Sequence, residues 1–519
     1  MTSDGGERSS RIKLGAGLLL GLLILAAASK SVLYDTLDPD FFWHVRVAEQ
    51  LLRDGIGPIV DDISFASVKE PWTPYSWLAE LAMKWTWDFG GLRGVVAAQS
   101  ITIAAFFTFL ALACLEKTRE PRGWLGVALA IIFGGYLALP YFSFRPATMA
   151  YALLALCAWL IARDRRMESR SRGVWLIVPI TALLVNVHLF AIFVPMLAGL
   201  MWAGDVIDAR RRRLTLSPAL SRSTGRRRML FAMTFVACCA TPMLAGLVRT
   251  IFHYGASDPM VASGVIGELR PFYHGGGVGA WVTGALLLVA LARAVQHRRH
   301  FETADWFWAI AMLVGMLKMG RLAPLFAIAF TPMLAATLAD VRGKILAKPA
   351  VCALLAFVFA FGMTSVFVGF PSRRVKLSQW LNRNGPDTPG YPCGAAQYVA
   401  ARVPRRTGRI VNDFNSGGYL AFALGPRGFR VFMDPRTQLY APQFWEKTAL
   451  APDETTAASA IREAGDVDAA IVPRNAPKLA GAVRSLGWRE VYRDDRASVY
   501  LPQRDTTSAD ARVDLRSDR

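Results

Sequence analysis

The chain has 519 residues, 53% of them hydrophobic, with 15 tryptophans and a formal net charge of +20. An apolar excess gathered into long runs excludes an ordinary soluble enzyme and indicates a multispan membrane protein. The charge does not argue for nucleic acid. Arginines cluster at 163–173, 209–228 and 297–300, between apolar runs, where the positive-inside rule places cytoplasmic charge beside anionic lipid.

In chain order, residues 13–33 form a first apolar run behind a basic flank, long enough to span a bilayer at about 20 residues. A cleaved signal peptide is the competing reading, and the further runs that follow favour a retained span. Those runs fall near 94–115, 123–141, 147–162, 174–187, 189–204, 229–250, 279–294, 305–320, 322–340 and 349–370. With the N-terminus in the cytoplasm, the loop after every even-numbered run is basic, so the alternation is consistent. Short runs meet around residues 186–188 and again near Arg321, as helical hairpins or broken helices. Five of the six cysteines lie inside apolar runs, and there is no CxxC or zinc spacing.

Three segments then face outward: 34–93, 251–278 and the chain after about 371. In the first, Asp38 caps a helix with Pro39 at its first position, and Gly55 ends it. Phe41, Phe42, Val45, Ala48, Leu51 and Leu52 recur at helical spacing, which predicts a helix along the membrane interface. Residues 71–91, rich in tryptophan, predict a second interfacial helix. The tail gains charge, proline and glycine. Its candidate strands are "GRIVNDF", "FRVFMD" and "DAAIVP", with a hairpin over 488–502 and helices at 390–403, 442–449 and 454–464. The expected organisation is an α-helical polytopic membrane domain of about 11 spans over 1–371. A small soluble α/β domain follows over 372–502, then a disordered tail over 503–519.

The chemistry-bearing residues gather on the outer side. Asp40 and His44, four apart, share a helix face near the membrane exit. A partly desolvated carboxylate there is a candidate base, although a first-turn acid is also explained by the helix dipole. Asp61, Asp62 and Glu80, with Trp77 beside Glu80, are candidates to join Asp40. Arg145, His188, Lys318 and Arg321 stand at outer ends of spans, where positive charge is unexpected and polar groups are functional candidates. Arginine suits phosphate. Snorkelling to the interface is the plainer alternative. "NSGGY" lacks a phosphate-loop pattern, so a tight turn accounts for its glycines.

The motifs "DPDFFWH", "DDIS", "PWTPYSWLAE", "FRP", "NVH", "GRLAPLFAIAFTP" and "NDFNSGGYLAF…VFMDPRTQLY" occur in this order along most of the chain. In that order they resemble the bacterial GT-C glycosyltransferases, of the protein mannosyltransferase and aminoarabinose transferase type, which take sugars from polyprenyl-phosphate carriers. The resemblance implies a GT-C fold. It makes Asp40 the catalytic base or metal-associated acid, Asp62 the second candidate, and Glu268 in "GELRPF" a further acid. Two departures stand out. Tyr75 replaces an expected histidine, which weakens metal binding in that loop, and "MDPR" replaces a more usual Asp-Gly-Arg. A divalent cation, Mg²⁺ or Mn²⁺, on Asp40 or Asp62 is the only cofactor implied.

The function implied is an inverting transfer of sugar from a polyprenyl-phosphate donor to an extracytoplasmic glycan, lipid or protein. Arg145, His188 and Arg321 would hold the phosphate, and His44, Trp77, Glu80 and Lys318 would contribute to substrate binding. The implied location is the bacterial inner membrane, with the N-terminus cytoplasmic and the C-terminal domain outside. A glycan flippase or export component, a ligase or polymerase of lipid-linked glycans, and a non-catalytic GT-C-like scaffold are the alternatives.

Overall fold

The computed structural model describes residues 38–118, 124–211, 218–256, 258–274, 277–338 and 390–503, with a few positions between 17 and 28. The expected eleventh span, the basic stretch around 342–348 and the tail from 504 lie outside the described residues, as does most of the expected first span.

Helix α1 (Pro39–Asp54) begins as the sequence requires. The Asp38 carboxylate accepts from the Asp40 backbone N–H at 2.9 Å, and Pro39 fills the first position. A two-stranded ribbon follows, with β1 (Ile59–Val60) antiparallel to β2 (Pro71–Trp72). Helix α2 (Trp77–Thr118) is broken at Gly91, whose φ of 52° only glycine adopts readily. This break separates the expected tryptophan-rich helix from the expected span.

The bundle continues through α3 (Trp124–Ala138), α4 (Pro146–Arg166), α5 (Ile177–Val187), α6 (Phe193–Arg211), α7 (Pro218–Ala237), α8 (Leu244–Ala256), α9 (Val278–Gln296), α10 (Thr303–Lys318) and α11 (Ala323–Leu338). Among the described residues, five helices are long and apolar enough to cross a membrane, and two shorter apolar helices accompany them. Phe106, Phe107, Tyr151, Phe326 and Phe330 are fully buried at the bundle's centre. Val278, Trp281, Leu288 and Val289 of α9 face outward, as a lipid-facing surface requires. Residues His188 and Met319 adopt extended backbone between helices, so both expected interruptions are real.

At the bundle end remote from α1, Arg165 bonds to Asp305 at 2.7 Å and Glu302 at 3.0 Å, and Lys117 meets Asp305 at 2.6 Å. Arg227 pairs with Asp205. These members of the basic clusters are therefore engaged inside the protein, where the sequence reading expects lipid contacts.

The C-terminal unit runs through α12 (Cys393–Arg402), β3 (Arg409–Val411), α13 (Gly417–Leu424), β4 (Arg430–Val431), α14 (Pro442–Lys447), α15 (Glu454–Glu463), β5 (Ala469–Pro473), α16 (Pro477–Ser485), β6 (Arg489–Arg493) and β7 (Ala497–Leu501). The sheet order is β4-β3-β5-β7-β6. Strand β3 is parallel to β4 and β5, while β5–β7 and β7–β6 are antiparallel. Its edge is not bare. The Val431 N–H donates to Ile63 O at 3.1 Å and the Phe65 N–H donates to Val431 O at 3.0 Å, so the first loop extends the sheet.

Two expectations are corrected. Helix α1 does not spread its apolar face on a membrane. Phe41 and Phe42 are fully buried, and Phe42 packs on Tyr391, Tyr419 and Phe422 of the C-terminal unit. The glycines of "NSGGY" do not make a tight turn but open α13, which packs against α1. A Cβ on Gly417 would lie 2.0 Å from the Met433 carbonyl oxygen, and one on Gly418 would lie 2.8 Å from that of Pro39. We expect Gly417→Ala to destabilise the protein by about 2 kcal/mol or more, as overpacking does. Gly57→Ala, at a position with open space, should be nearly neutral. Comparative thermal unfolding of the purified full chain checks both.

Candidate active site

A cavity of about 350 Å³ lies where the bundle end, the first loop and the C-terminal unit meet. The start of α1 contributes Asp38, Asp40, Trp43 and His44, and the loop before α2 contributes Trp72 and Tyr75. Arg145 stands at the N-cap of α4, His188 in the extended link after α5, and Arg321 in the turn between α10 and α11. Glu268 comes from the loop before α9, and Phe414, Asn415 and Arg436 come from the C-terminal unit.

The charges interlock. The Arg145 guanidinium reaches Asp40 at 3.5 Å and Asp38 at 3.7 Å, and also pairs with Glu268. The second carboxylate oxygen of Glu268 faces Arg321 at 3.5 Å. The Tyr151 hydroxyl donates to Arg321 O at 2.7 Å and so fixes the backbone carrying that guanidinium. The Trp43 Nε1–H donates to Asp40 Oδ1 at 3.0 Å, which orients the carboxylate and leaves Oδ2 toward Arg145. The Trp43 and His44 rings lie 3.5 Å apart, and His44 Nδ1 is hydrogen-bonded to Glu80 at 3.1 Å. His188 Nδ1 accepts from the Phe190 N–H at 3.2 Å, which places that ring's proton on Nε2.

Burial and the neighbouring Asp38 charge push the Asp40 carboxyl up to about 6, against the pull of Arg145. Burial, reinforced by Arg145, Arg321 and Arg436, holds His44 well below the usual imidazole range, so the ring is neutral. Burial alone would raise the Glu268 carboxyl, but Arg321 and Arg145 together bring it below the ordinary value. Burial lifts the Tyr75 phenol to about 12, so it remains a hydroxyl.

Of the residues singled out in the sequence, Asp40, His44, Glu80, Arg145, His188, Glu268 and Arg321 line this one cavity. Asp62 does not. It sits in a separate, partly exposed recess, paired with Arg53 at 2.6 Å, because neighbouring residues in an extended loop point to opposite sides. Lys318 is exposed at the end of α10 and is not among the lining residues. Trp77 stands behind the wall, its Nε1–H donating to Asn186 at 2.7 Å.

Asp61 also departs from the expected cluster with Asp40. It meets Arg436 at 2.7 Å, and Arg436 is held from its other side by Asp434 through Nε at 2.9 Å and Nη2 at 2.7 Å. All three side chains are fully buried, and the guanidinium stacks over the Trp72 ring. Arg436 also lines the cavity, and its signal in the sequence is the "MDPR" departure.

Among the described residues, no three His, Cys, Asp or Glu side chains gather as ligands for a metal ion. The Asp40 and Glu268 carboxylates both turn to Arg145, which supplies the positive charge between them. The donor set as arranged therefore does not fit the Mg²⁺ or Mn²⁺ implied by the resemblance.

The polytopic helical bundle capped by a small α/β unit is GT-C-like in fold, as its likeness to three solved structures shows. The chain aligns with the Archaeoglobus fulgidus oligosaccharyltransferase tethered to an acceptor peptide at a TM-score of 0.53 and 15% identity, covering 94% of this chain and 74% of that one. With the archaeal oligosaccharyltransferase AglB from the same organism, bound to an inhibitory peptide and a dolichol-phosphate, the TM-score is 0.51 at 15% identity, covering 95% and 75%. With apo ArnT from Cupriavidus metallidurans it is 0.50 at 13% identity, covering 93% and 97%. No protein-family model matches the chain, and no curated protein sequence does.

Because Arg436 would be left facing a single carboxylate, Asp61→Asn should cost about 3 kcal/mol. It should also make the C-terminal unit more easily clipped by protease, measured as the rate of appearance of a truncated bundle.

Proposed function

We propose that this chain is a membrane glycosyltransferase that moves a sugar from a polyprenyl-phosphate carrier to a hydroxyl-bearing acceptor. The observation that carries this reading is the meeting of Asp40 with Arg145 and Arg321 in one cavity, each drawn from a different part of the chain. The buried Nε atoms of Arg145 and Arg321 have no hydrogen-bond partner among the described residues, and such orphaned donors call for an acceptor. A phosphate supplies several. Support also comes from the shared fold, since AglB binds a dolichol-phosphate and the oligosaccharyltransferase takes an acceptor peptide.

In the reaction, the acceptor hydroxyl oxygen attacks the anomeric carbon while its proton passes to Asp40 Oδ2. The bond from that carbon to the phosphate oxygen breaks with its electron pair on the phosphate. Arg145 and Arg321 meet the growing charge, which is worth more in a desolvated site than in water. Trp43 holds the base in orientation. A single displacement inverts configuration. The neutral His44 and the Tyr75 hydroxyl add polar wall without adding charge.

We place the membrane unit at 1–371 and the soluble unit at 372–502. In this reading the N-terminus is cytoplasmic and the cavity lies on the extracytoplasmic side of a bacterial inner membrane, and the basic loops after the even-numbered runs support that orientation.

Asp40→Asn should lower turnover by about 10²–10⁴-fold, the usual contribution of a positioned base. Release of lipid phosphate from a panel of polyprenyl-phosphate sugars measures it, and equal turnover by both proteins would remove Asp40 from this role. The base must be ionised, so kcat/KM should rise with pH and level off above about 6, rather than near 4 as for an ordinary carboxylate. Arg321→Ala should reduce turnover by about 10²-fold or more through loss of a charge-stabilising donor. No turnover of any donor by the native protein would favour the scaffold reading.

A further inference from the structure

Two of the cavity's guanidinium groups, Arg145 and Arg321, face three carboxylates, Asp38, Asp40 and Glu268, while Arg436 is already held by Asp61 and Asp434. A donor phosphodiester adds one negative charge, and the departing phosphate monoester carries nearly two. Like charges forced together in a desolvated site repel strongly, so phosphate entry favours release of the carboxylate that is least held by other groups.

The three are not equally free to move. Asp38 caps a 16-residue helix through the Asp40 N–H, and Asp40 is held by Trp43 Nε1–H. Glu268 has no partner beyond Arg145 and Arg321 among the described residues. It lies in a three-residue 3₁₀ turn, Gly267–Leu269, in a segment with little other regular structure. That segment is anchored at both ends. Asp258 accepts from the Thr437 hydroxyl, and Arg270 O accepts from the Gly320 N–H at 2.8 Å. Between the anchors, Gly264 has a φ of 67° and Gly267 has open space where a side chain would stand. The carboxylate of Glu268 presents one oxygen to each arginine, as two oxygens of a phosphate would.

We propose that Glu268 is the exchangeable counter-ion of the phosphate site, a carboxylate that occupies Arg145 and Arg321 until lipid phosphate displaces it. It retakes both arginines as the product phosphate leaves. This rests on the phosphate-binding reading above and adds to it a built-in competitor, which keeps the two guanidinium groups compensated between turnovers and speeds product release.

Calorimetric titration of the detergent-purified full chain with farnesyl phosphate, and in parallel with inorganic phosphate, tests this. Glu268→Gln keeps the shape and removes the charge, so it should bind farnesyl phosphate at least about tenfold more tightly than native protein. Asp38→Asn removes a charge of similar proximity from a group that does not exchange, and should gain no more than about threefold. Inorganic phosphate showing the same pattern would assign the exchange to phosphate itself, whereas a gain confined to farnesyl phosphate would assign it to the lipid form. Unchanged or weaker binding by Glu268→Gln, or an equal gain in Asp38→Asn, overturns the exchange while leaving the phosphate site in place. Native binding that Arg321→Ala does not weaken, or no binding by any of the proteins, removes the phosphate site and the exchange with it.

Discussion

Arg436 joins the C-terminal unit to the first loop at the cavity wall. Its guanidinium lies between Asp434, in the loop after β4, and Asp61 from a loop 375 residues earlier, with no exposure for any of the three side chains. Desolvating such a set costs several kcal/mol per ion, and their attraction repays it only when the geometry is good. Its value is therefore less in net stability than in register. A slip of the loop along β4 would leave a buried charge uncompensated, which makes wrong dockings costly. Asp61 adds to this by accepting from the Ile63 and Ser64 N–H groups and the Ser67 hydroxyl, so the loop's own turn is formed around the same carboxylate. With the loop fixed, Trp72 and α1 are fixed, and with α1 the position of Asp40.

The remaining wall is set by interruptions in helices. At His188 and Met319 the chain leaves helical conformation at the cavity end of the bundle and resumes it after a 3₁₀ turn. Each break frees backbone groups that a continuous helix would satisfy, which is tolerated within a membrane protein only where the segment is buried in protein or lines a cavity. His188 answers part of this with its own ring, and Tyr151 answers another part by donating to Arg321 O. Both devices bring a polar side chain to the bundle end without exposing it to lipid.

These physical features explain what could be read from the sequence. The cap and first turn of α1 were legible because they are local: Asp, Pro and the apolar period suffice. Arg145, His188 and Arg321 were legible because they stand at helix ends with the wrong sign or polarity for their surroundings. What α1 packs against was not legible, since an apolar face reads alike whether lipid or protein covers it. Asp61 and Asp62 could not be ranked, because one residue decides which side of an extended loop a carboxylate faces. Arg436 was hidden for a related reason. Its partners are Asp434, two residues away, and Asp61, 375 away, and only the second explains its burial. The helix α13 was missed because two adjacent glycines read as a turn, whereas here they allow two backbones to approach.

The same non-local logic accounts for the chain's basic excess. Sequence alone assigns the arginine clusters to the membrane surface, yet Arg165 and Arg227 are drawn inward by Asp205, Glu302 and Asp305 on neighbouring helices. The bundle thus carries ionic clusters at both ends, with apolar contacts between. The two clusters differ in balance. At the far end Asp305 is shared by Lys117 and Arg165, so its charge is met twice over. At the cavity, Asp38, Asp40 and Glu268 share Arg145 and Arg321, and burial together with the neighbouring Asp38 charge leaves the Asp40 carboxyl raised. The far cluster braces packed helices, whereas this one faces a cavity to which the first loop, the bundle and the C-terminal unit all contribute.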